Sequence, residues 1–405
     1  MAFATTAPLR REIAARIPDR PFTVRFWDGT ELPATAGNGD GPTFTVRSPR
    51  AAAHALRAPG QLGLGRAYVS GELEVDDIDA VIALLDGWQP PALDGADKRA
   101  LLLGAVRAAG LTVPPPRPAA ELAPSGRRHS KERDARAVRH HYDVSNEFFA
   151  LFLDESMTYS CANFIRSGAK TLEEAQEAKL DMVATKLAIE PGERVLDVGC
   201  GWGSFSIRAA KEYGANVVGI TLSEPQAEEA RRRAAAAGVG EKVEIRVMDY
   251  RDLIGERFDA ISSIGMAEHV GAVQIDEYAR TLAALLEPGG RLLNHAIARL
   301  RHTDAEAGAF SERYVFPDAA PLHLSRVLLA LERAGFEVHH VEDFRLDYAE
   351  TLRHWAERLD ANLERATQLA GPERIRVWRL YLRAARNGFE KGFTSIFQAR
   401  CSRAS

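Results

Sequence analysis

The stretch that most limits what this chain can fold into is Val195-Leu-Asp-Val-Gly-Cys-Gly-Trp-Gly-Ser-Phe205. It opens on Arg194–Val198, an apolar run of the length and β-branched content expected for a buried parallel strand. Gly199, Gly201 and Gly203 make a glycine-rich turn, and Ser204 to Tyr213 reads as a helix. Glycines here permit a chain reversal with unusual φ and let backbone lie against a ligand with no Cβ between them. A tight turn in an α/β domain with no ligand is the plain alternative.

Two cofactors compete for this turn. A dinucleotide fingerprint calls for Gly-x-Gly-x-x-Gly or Ala with an acid roughly 20 residues on. Position 204 is Ser, and the second strand, Asn216-Val-Val-Gly-Ile-Thr-Leu222, ends without an acid. The Asp-x-Gly-x-Gly-x-Gly form suits S-adenosylmethionine, which has no pyrophosphate and needs backbone near its amino-acid tail and ribose. A third strand, Val243 to Met248, ends on Asp249, where adenine and ribose are expected. Methyltransferase is favoured over dehydrogenase.

With 405 residues, two domains are expected. A net charge of -4 argues against a generic nucleic-acid binder. Cys161, Cys200 and Cys401 are odd in number and widely spaced, which excludes a disulfide scaffold or zinc knuckle and fits a reducing cytosol; no metal site is expected. No apolar run approaches the ~18–20 residues that span a bilayer. The N-terminus has no long apolar core, so no signal peptide is expected.

Residues 1–111 form a first region with hairpin signals at Phe22–Trp27, Asp28-Gly29 and Thr43–Val46, and helical patterns at Arg50–Ala58 and Ile78–Trp88. Leu101–Leu111 reads as a core helix. Residues 112–137 are a linker: a proline-rich run to Gly126 that sustains neither helix nor central strand, then basic residues Arg127, Arg128, Lys131, Arg133 and Arg136, continued by Arg139. A solvated helix face and attraction to anionic headgroups both remain open for them. Residues 138–405 form the catalytic domain. Strands at 194–198, 216–222, 243–248, 258–264 and 290–297 alternate with helices, including Ala227–Ala237 and Tyr278–Leu286, the latter closed by Pro288-Gly-Gly290. This is a doubly wound sheet, whose ligand lies at the carboxyl ends of the strands, near Gly199, Thr221, Asp249, Ile264 and His295. Phe310–Arg403 is expected to be mainly helical, a lid with C-terminal strands packed on the sheet.

Further motifs are His140-His-Tyr-Asp-Val-Ser-Asn-Glu-Phe-Phe149, Met157-Thr-Tyr-Ser-Cys-Ala-Asn-Phe164, Gly219-Ile-Thr-Leu-Ser223, Ile264-Gly-Met-Ala-Glu-His-Val-Gly271 and Arg313-Tyr-Val-Phe-Pro317. With the glycine turn they resemble the cyclopropane fatty acid synthase family, including the mycolic acid cyclopropane synthases and methyltransferases, over roughly residues 138–400. Leu64-Gly-Arg-Ala-Tyr-Val-Ser-Gly-Glu-Leu-Glu74 resembles the N-terminal lipid-binding domain of phospholipid-acting members. The resemblance implies a class I methyltransferase with a Rossmann-like doubly wound α/β sheet and a smaller α+β N-terminal domain. It implies methyl transfer from S-adenosylmethionine to a cis double bond of an unsaturated phospholipid acyl chain, giving a cyclopropane. It also implies a cytoplasmic enzyme on the inner face of the membrane, bound peripherally to anionic lipid, and leaves a homodimer open.

An alkene is a weak nucleophile, so the sulfonium must be held in line with it. The resulting cation needs a dry pocket with aromatic faces, and a base must remove a proton. In the family that base is bound bicarbonate, and its ligands carry over to Cys161, the Ile264 backbone, Glu268, His295 and Tyr348. Tyr159 and Ser160 fall at the methionine end of the cofactor, Asp197, Gly199, Gly201 and Gly203 at the turn, and Thr221, Leu222, Gln226, Asp249, Tyr250 and Ile264 along the rest. The chain departs from the family at Ala267 and Asn163, where aromatics are usual, and in Asp318-Ala-Ala-Pro-Leu322. Fewer rings around the cation leave a methylene-branched product, a precursor of 10-methyl fatty acids, as the alternative. A non-catalytic lipid-binding protein with this fold is the remote one.

Overall fold

From Arg194 onward short apolar segments alternate with amphipathic ones, and each apolar segment can be buried only between neighbouring strands with helices on both faces. A computed structural model shows this outcome. It describes residues 5–37, 41–58, 60–109, 115–122, 129–142, 144–303 and 308–404; Arg127, Arg128 and parts of the proline-rich run lie outside them. The chain forms two compact units, Met1–Leu122 with Gly371–Ala384, and Ala123–Ala370 with Ala385–Ser405. The segment Gly371–Ala384 therefore belongs with the first unit, whereas the sequence placed everything after residue 138 in the second.

The first unit carries a four-stranded sheet in the order β2-β1-β3-β4, from β1 (Thr23–Arg25), β2 (Glu31–Leu32), β3 (Thr43–Val46) and β4 (Leu73–Val75). Asp28-Gly29 turns β1 into antiparallel β2, with Gly29 at φ +79°. β3 is not the arm of a second hairpin: it pairs with β1 in parallel. The helix Gly95–Ala109 buries its small residues, Ala105 and Ala108, and leaves Leu102 and Leu103 exposed. Leu101 is half-buried and Leu111 lies outside the described residues, so the buried face of this expected core helix is built from small residues rather than from Leu102 and Leu103.

The second unit is built on seven strands: β5 (Arg194–Val198), β6 (Asn216–Thr221), β7 (Val243–Val247), β8 (Phe258–Ile264), β9 (Leu286–Arg299), β10 (Phe336–Asp343) and β11 (Thr394–Arg403). Their order is β10-β11-β9-β8-β5-β6-β7. The first five are mutually parallel, while β11 runs antiparallel between β9 and β10. The sheet is therefore mixed, and the C-terminal strands are part of it, not packed on it. The helix expected over Tyr278–Leu286 runs over Ala267–Leu285, and Pro288-Gly-Gly290 makes an irregularity inside β9, where the register with β8 shifts. Two apolar layers cover the sheet. One includes Leu196, Ile261, Tyr278 and Leu292, the other Val195, Val217, Leu180 and Phe205. No helix among the described residues is long and apolar enough to cross a membrane.

Candidate active site

The strand order reverses between β8 and β5, and a cavity opens there at the carboxyl ends of the strands. Each glycine of the turn has its own reason to be there. A Cβ on Gly199 (φ +78°) would stand 2.7 Å from Met266 Sδ. One on Gly201 (φ +55°) would meet nothing within 4 Å, because that position faces the cavity. One on Gly203 (φ +81°) would come 3.1 Å from Ala230 Cβ, so this glycine lets the helix Glu224–Ala236 approach and does not line the cavity. That corrects its placement among the cofactor contacts. The other expected contacts, Tyr159, Ser160, Asp197, Gly199, Gly201, Thr221, Leu222, Gln226, Asp249, Tyr250 and Ile264, all line it.

Polar groups in the wall are held by one another. Asp197 at the end of β5 accepts a hydrogen bond from Ser206 Oγ at 2.7 Å, and burial pushes its carboxyl up to about 6. Thr221 Oγ1 donates to Gln226 Oε1 at 2.8 Å, which leaves the glutamine NH2 for other acceptors. Asp249 receives Arg251 on both oxygens, at 2.8 and 2.6 Å, and Arg251 also reaches Asp134 at 2.9 Å. Burial favours the neutral form of Asp249, but the guanidinium outweighs it and holds the carboxyl below its ordinary value. Asp134 lies on the helix Lys131–Tyr142, so the basic segment enters the site through its acid. Its neighbours Lys131 and Arg133 are paired with Asp252 and Asp318.

Aromatic rings close the cavity near the turn. Trp202 donates from Nε1 to Asn146 Oδ1 at 2.8 Å, and its ring lies 4.9 Å from that of Phe149. His141 faces the Val315 carbonyl with Nδ1 at 3.0 Å, a contact that requires an N–H there, so Nε2 accepts the Tyr159 hydroxyl at 3.2 Å. His269 lines the cavity against Phe316, and burial lowers it to about 4, leaving it neutral near pH 7.

Of the residues assigned to the base, only Ile264 lines this cavity; Cys161, Glu268, His295 and Tyr348 do not. They nevertheless gather beside it. Ile264 is the register partner of His295 across β8 and β9. Glu268 Oε1 accepts the Ile297 N–H at 3.4 Å, two residues along β9. His295 stacks on Phe344 with centroids 5.8 Å apart, the Phe344 carbonyl lies 3.7 Å from Cys161 Sγ, and Tyr348 follows one helical turn later. Glu268 Oε2 and His295 Nε2 are both buried with no hydrogen-bond partner among the described residues. Burial pushes Glu268 up to about 7, drives His295 well below its ordinary value, and raises the Cys161 thiol.

Sequence reading missed the polar support behind these groups. Lys186 Nζ donates to Gln398 Oε1 at 2.5 Å, so Gln398 turns its NH2 to His295 Nδ1 at 2.9 Å. His295 consequently carries its proton on Nε2, the unpartnered nitrogen. Lys179, fully buried, also escaped notice; the signal was the spacing of Gln176, Lys179 and Lys186 along one face of the helix Leu172–Lys186. Ala267, singled out as a missing ring near the site, sits 2% exposed in the core beside the sheet and does not line the cavity. Asn163 is likewise buried outside the lining.

Residues 129–399 match the family model described as mycolic acid cyclopropane synthetase. A probable fatty acid methyltransferase of Pseudomonas putida is 38% identical over 93% of this chain and 91% of its own length. The tuberculostearic acid methyltransferase UfaA1 of Mycobacterium tuberculosis is 32% identical over 98% and 91%. The mycolic acid cyclopropane synthase CmaA1, solved with SAH and CTAB, superposes with a TM-score of 0.63 at 33% identity, covering 66% of this chain and 98% of its own. With the glycine turn at the strand-order reversal, these matches establish that the chain belongs to the mycolic acid cyclopropane synthetase family and is an S-adenosylmethionine-dependent methyltransferase.

Proposed function

We propose that this enzyme methylates a cis double bond in the acyl chain of a phospholipid and closes a cyclopropane, with bicarbonate as base. The observation that carries the reading is the pair of buried, unpartnered atoms, Glu268 Oε2 and His295 Nε2, gathered beside Cys161 and Ile264. A neutral glutamic acid and an Nε2–H imidazole are hydrogen-bond donors, and two donors without acceptors fit a small oxyanion.

The cavity fits the cofactor. Gly199 and Gly201 bring backbone to its wall without side chains, Asp249 and Gln226 offer an acceptor and a donor for ribose and adenine, and Tyr159 and Ser160 stand near the methionine end. When bound, S-adenosylmethionine supplies an electrophilic methyl on its sulfonium. The turn and the aromatic wall would position the cofactor beside the acyl chain and exclude water. Transfer of that methyl to the alkene would leave a positive charge on the acyl chain. Rings of Tyr142, Tyr159 and Trp202 offer faces to it. Glu268 and His295 would hold the base beside the added methyl, whose proton must leave for the ring to close. Bicarbonate supplies that proton acceptor.

The test is turnover in Glu268→Leu, which removes the donor, and in degassed, bicarbonate-free buffer. Both should lower turnover at least tenfold while affinity for S-adenosylhomocysteine is kept, with one CH2 gained by the lipid and ring protons seen by NMR of the wild-type product. Full activity under both conditions assigns the base elsewhere, and an exomethylene signal in place of ring protons would select the methylene-branched product. For the first unit we propose contact with the inner membrane surface, supported by its outward Leu64, Leu85, Leu102 and Leu103.

A further inference from the structure

Lys179 stands near the middle of the helix Leu172–Lys186, is 0% exposed, and reaches the wall of the cofactor cavity. Its ammonium has three hydrogens. One goes to Ser160 Oγ at 2.9 Å, and this is the only hydrogen bond it makes among the described residues. Asp154 and Asp197 act on it through space without forming an ion pair. Two buried N–H groups of a full positive charge are thus left to be satisfied, a strongly unfavourable state unless an anion arrives.

Ser160 sharpens the point. Its Oγ accepts from Lys179, so its own O–H proton must point elsewhere, and Ser160 too lines the cavity. The Ser160 carbonyl accepts from Gln176 Nε2 at 2.8 Å, which holds the backbone of this residue against the helix. A cation and a hydroxyl donor therefore meet at the cavity wall, which Asp197 also lines. Burial lowers the Lys179 ammonium to about 8, with the carboxylates opposing the fall, so it remains largely charged at neutral pH.

We propose that Lys179 is the cationic partner of the cofactor's α-carboxylate, with the Ser160 hydroxyl as second donor. This rests on reading the cavity as the cofactor site. An α-amino acid tail is zwitterionic, and a wall with Lys179 and Asp197 presents one charge for each of its ends. The rival anion would be the one beside Cys161 and His295, on both of which Lys179 also acts through space. Those residues do not line the cavity, whereas Lys179 does.

The experiment is calorimetry of the full chain with two ligands, S-adenosylhomocysteine and its analogue lacking only the α-carboxylate. Wild-type protein should prefer the carboxylate by about 10- to 100-fold. Lys179→Met should lose that much affinity for S-adenosylhomocysteine and bind both ligands alike, whereas Lys179→Arg should keep part of the preference. An undiminished preference in Lys179→Met overturns the proposal. So does a wild type that binds both ligands equally, which is decisive even where the methionine variant does not fold. A wild type that binds neither ligand overturns the cofactor-site reading itself, and the proposal with it.

Discussion

At Gly201 a side chain would meet two obstacles of different kinds. The backbone there is left-handed at φ +55°, which a β-branched residue adopts at a cost of ~1–2 kcal/mol, and its Cβ would project into the cavity. Gly201→Val should therefore abolish binding of S-adenosylhomocysteine by calorimetry while lowering the melting temperature only a few degrees. Normal affinity in that variant would show that the turn does not touch the cofactor. Glu268 permits a second single-residue experiment. Burial raises it from 4.5 to about 7, so between those values the folded state holds a proton that the unfolded chain releases. Its contribution to stability is complete below pH 4.5 and is lost as the pH rises through 7. Asp197, raised by burial to about 6, acts in the same sense but is common to both proteins. The ligand-free Glu268→Gln variant should show a flatter fall in melting temperature over that range and gain roughly 1–3 kcal/mol over wild type at pH 8. Parallel curves would mean the carboxyl is ionised in the fold. Ala267, by contrast, is packed in the core beside the sheet. Ala267→Phe should therefore destabilise by ~1–3 kcal/mol through overpacking, read as a lower denaturation midpoint.

Among the elements, the helix Leu172–Lys186 shows why half of the site stayed hidden in the sequence. Its start is legible: Thr171 and Glu174 form a capping box, each satisfying an N–H of the other's backbone. Its inward face is not, because Gln176, Lys179 and Lys186 recur at helical spacing, where a reader assigns polar residues to solvent. Gln176 instead donates to the Thr158 and Ser160 carbonyls, at 3.3 and 2.8 Å. Gln176→Leu should orphan both, costing ~1–3 kcal/mol in stability and weakening S-adenosylhomocysteine binding through a displaced Ser160. Unchanged affinity would separate that loop from the cofactor. The strands β5 to β8 and the glycine turn were readable because each is specified locally, by a run of apolar residues or by φ. The residues beside Phe344 were placed by family resemblance alone. His295 sits in an apolar strand and Cys161 in a loop, and only tertiary pairing brings them together.

On the scale of the whole molecule, the sequence indicated two domains but not the interleaving of the chain between them. Gly371-Pro372 does punctuate the helical pattern where the segment begins, with Gly371 at φ +79°, but such a pair signals only a kink or turn and does not show that Gly371–Ala384 returns to the first unit. The turned-out leucines of that first unit, Leu102 and Leu103, carry one more expectation. Replacing both by Glu should reduce co-sedimentation with vesicles of anionic phospholipid severalfold, leaving S-adenosylhomocysteine binding intact. Equal sedimentation would place the lipid contact elsewhere.

The insertion of β11 between β9 and β10 has a meaning for how the protein is made. A ribosome delivers β9, with His295 on it, and must then synthesise residues 300–393 before β11 can supply its hydrogen bonds and Gln398. Throughout that interval the nascent chain presents an open strand edge, the kind of surface that chaperones cover and that aggregates grow from. A message cut short after residue 390 would yield a polypeptide with its glycine turn intact, a histidine lacking the amide that sets its tautomer, and two unpaired strand edges in search of a partner.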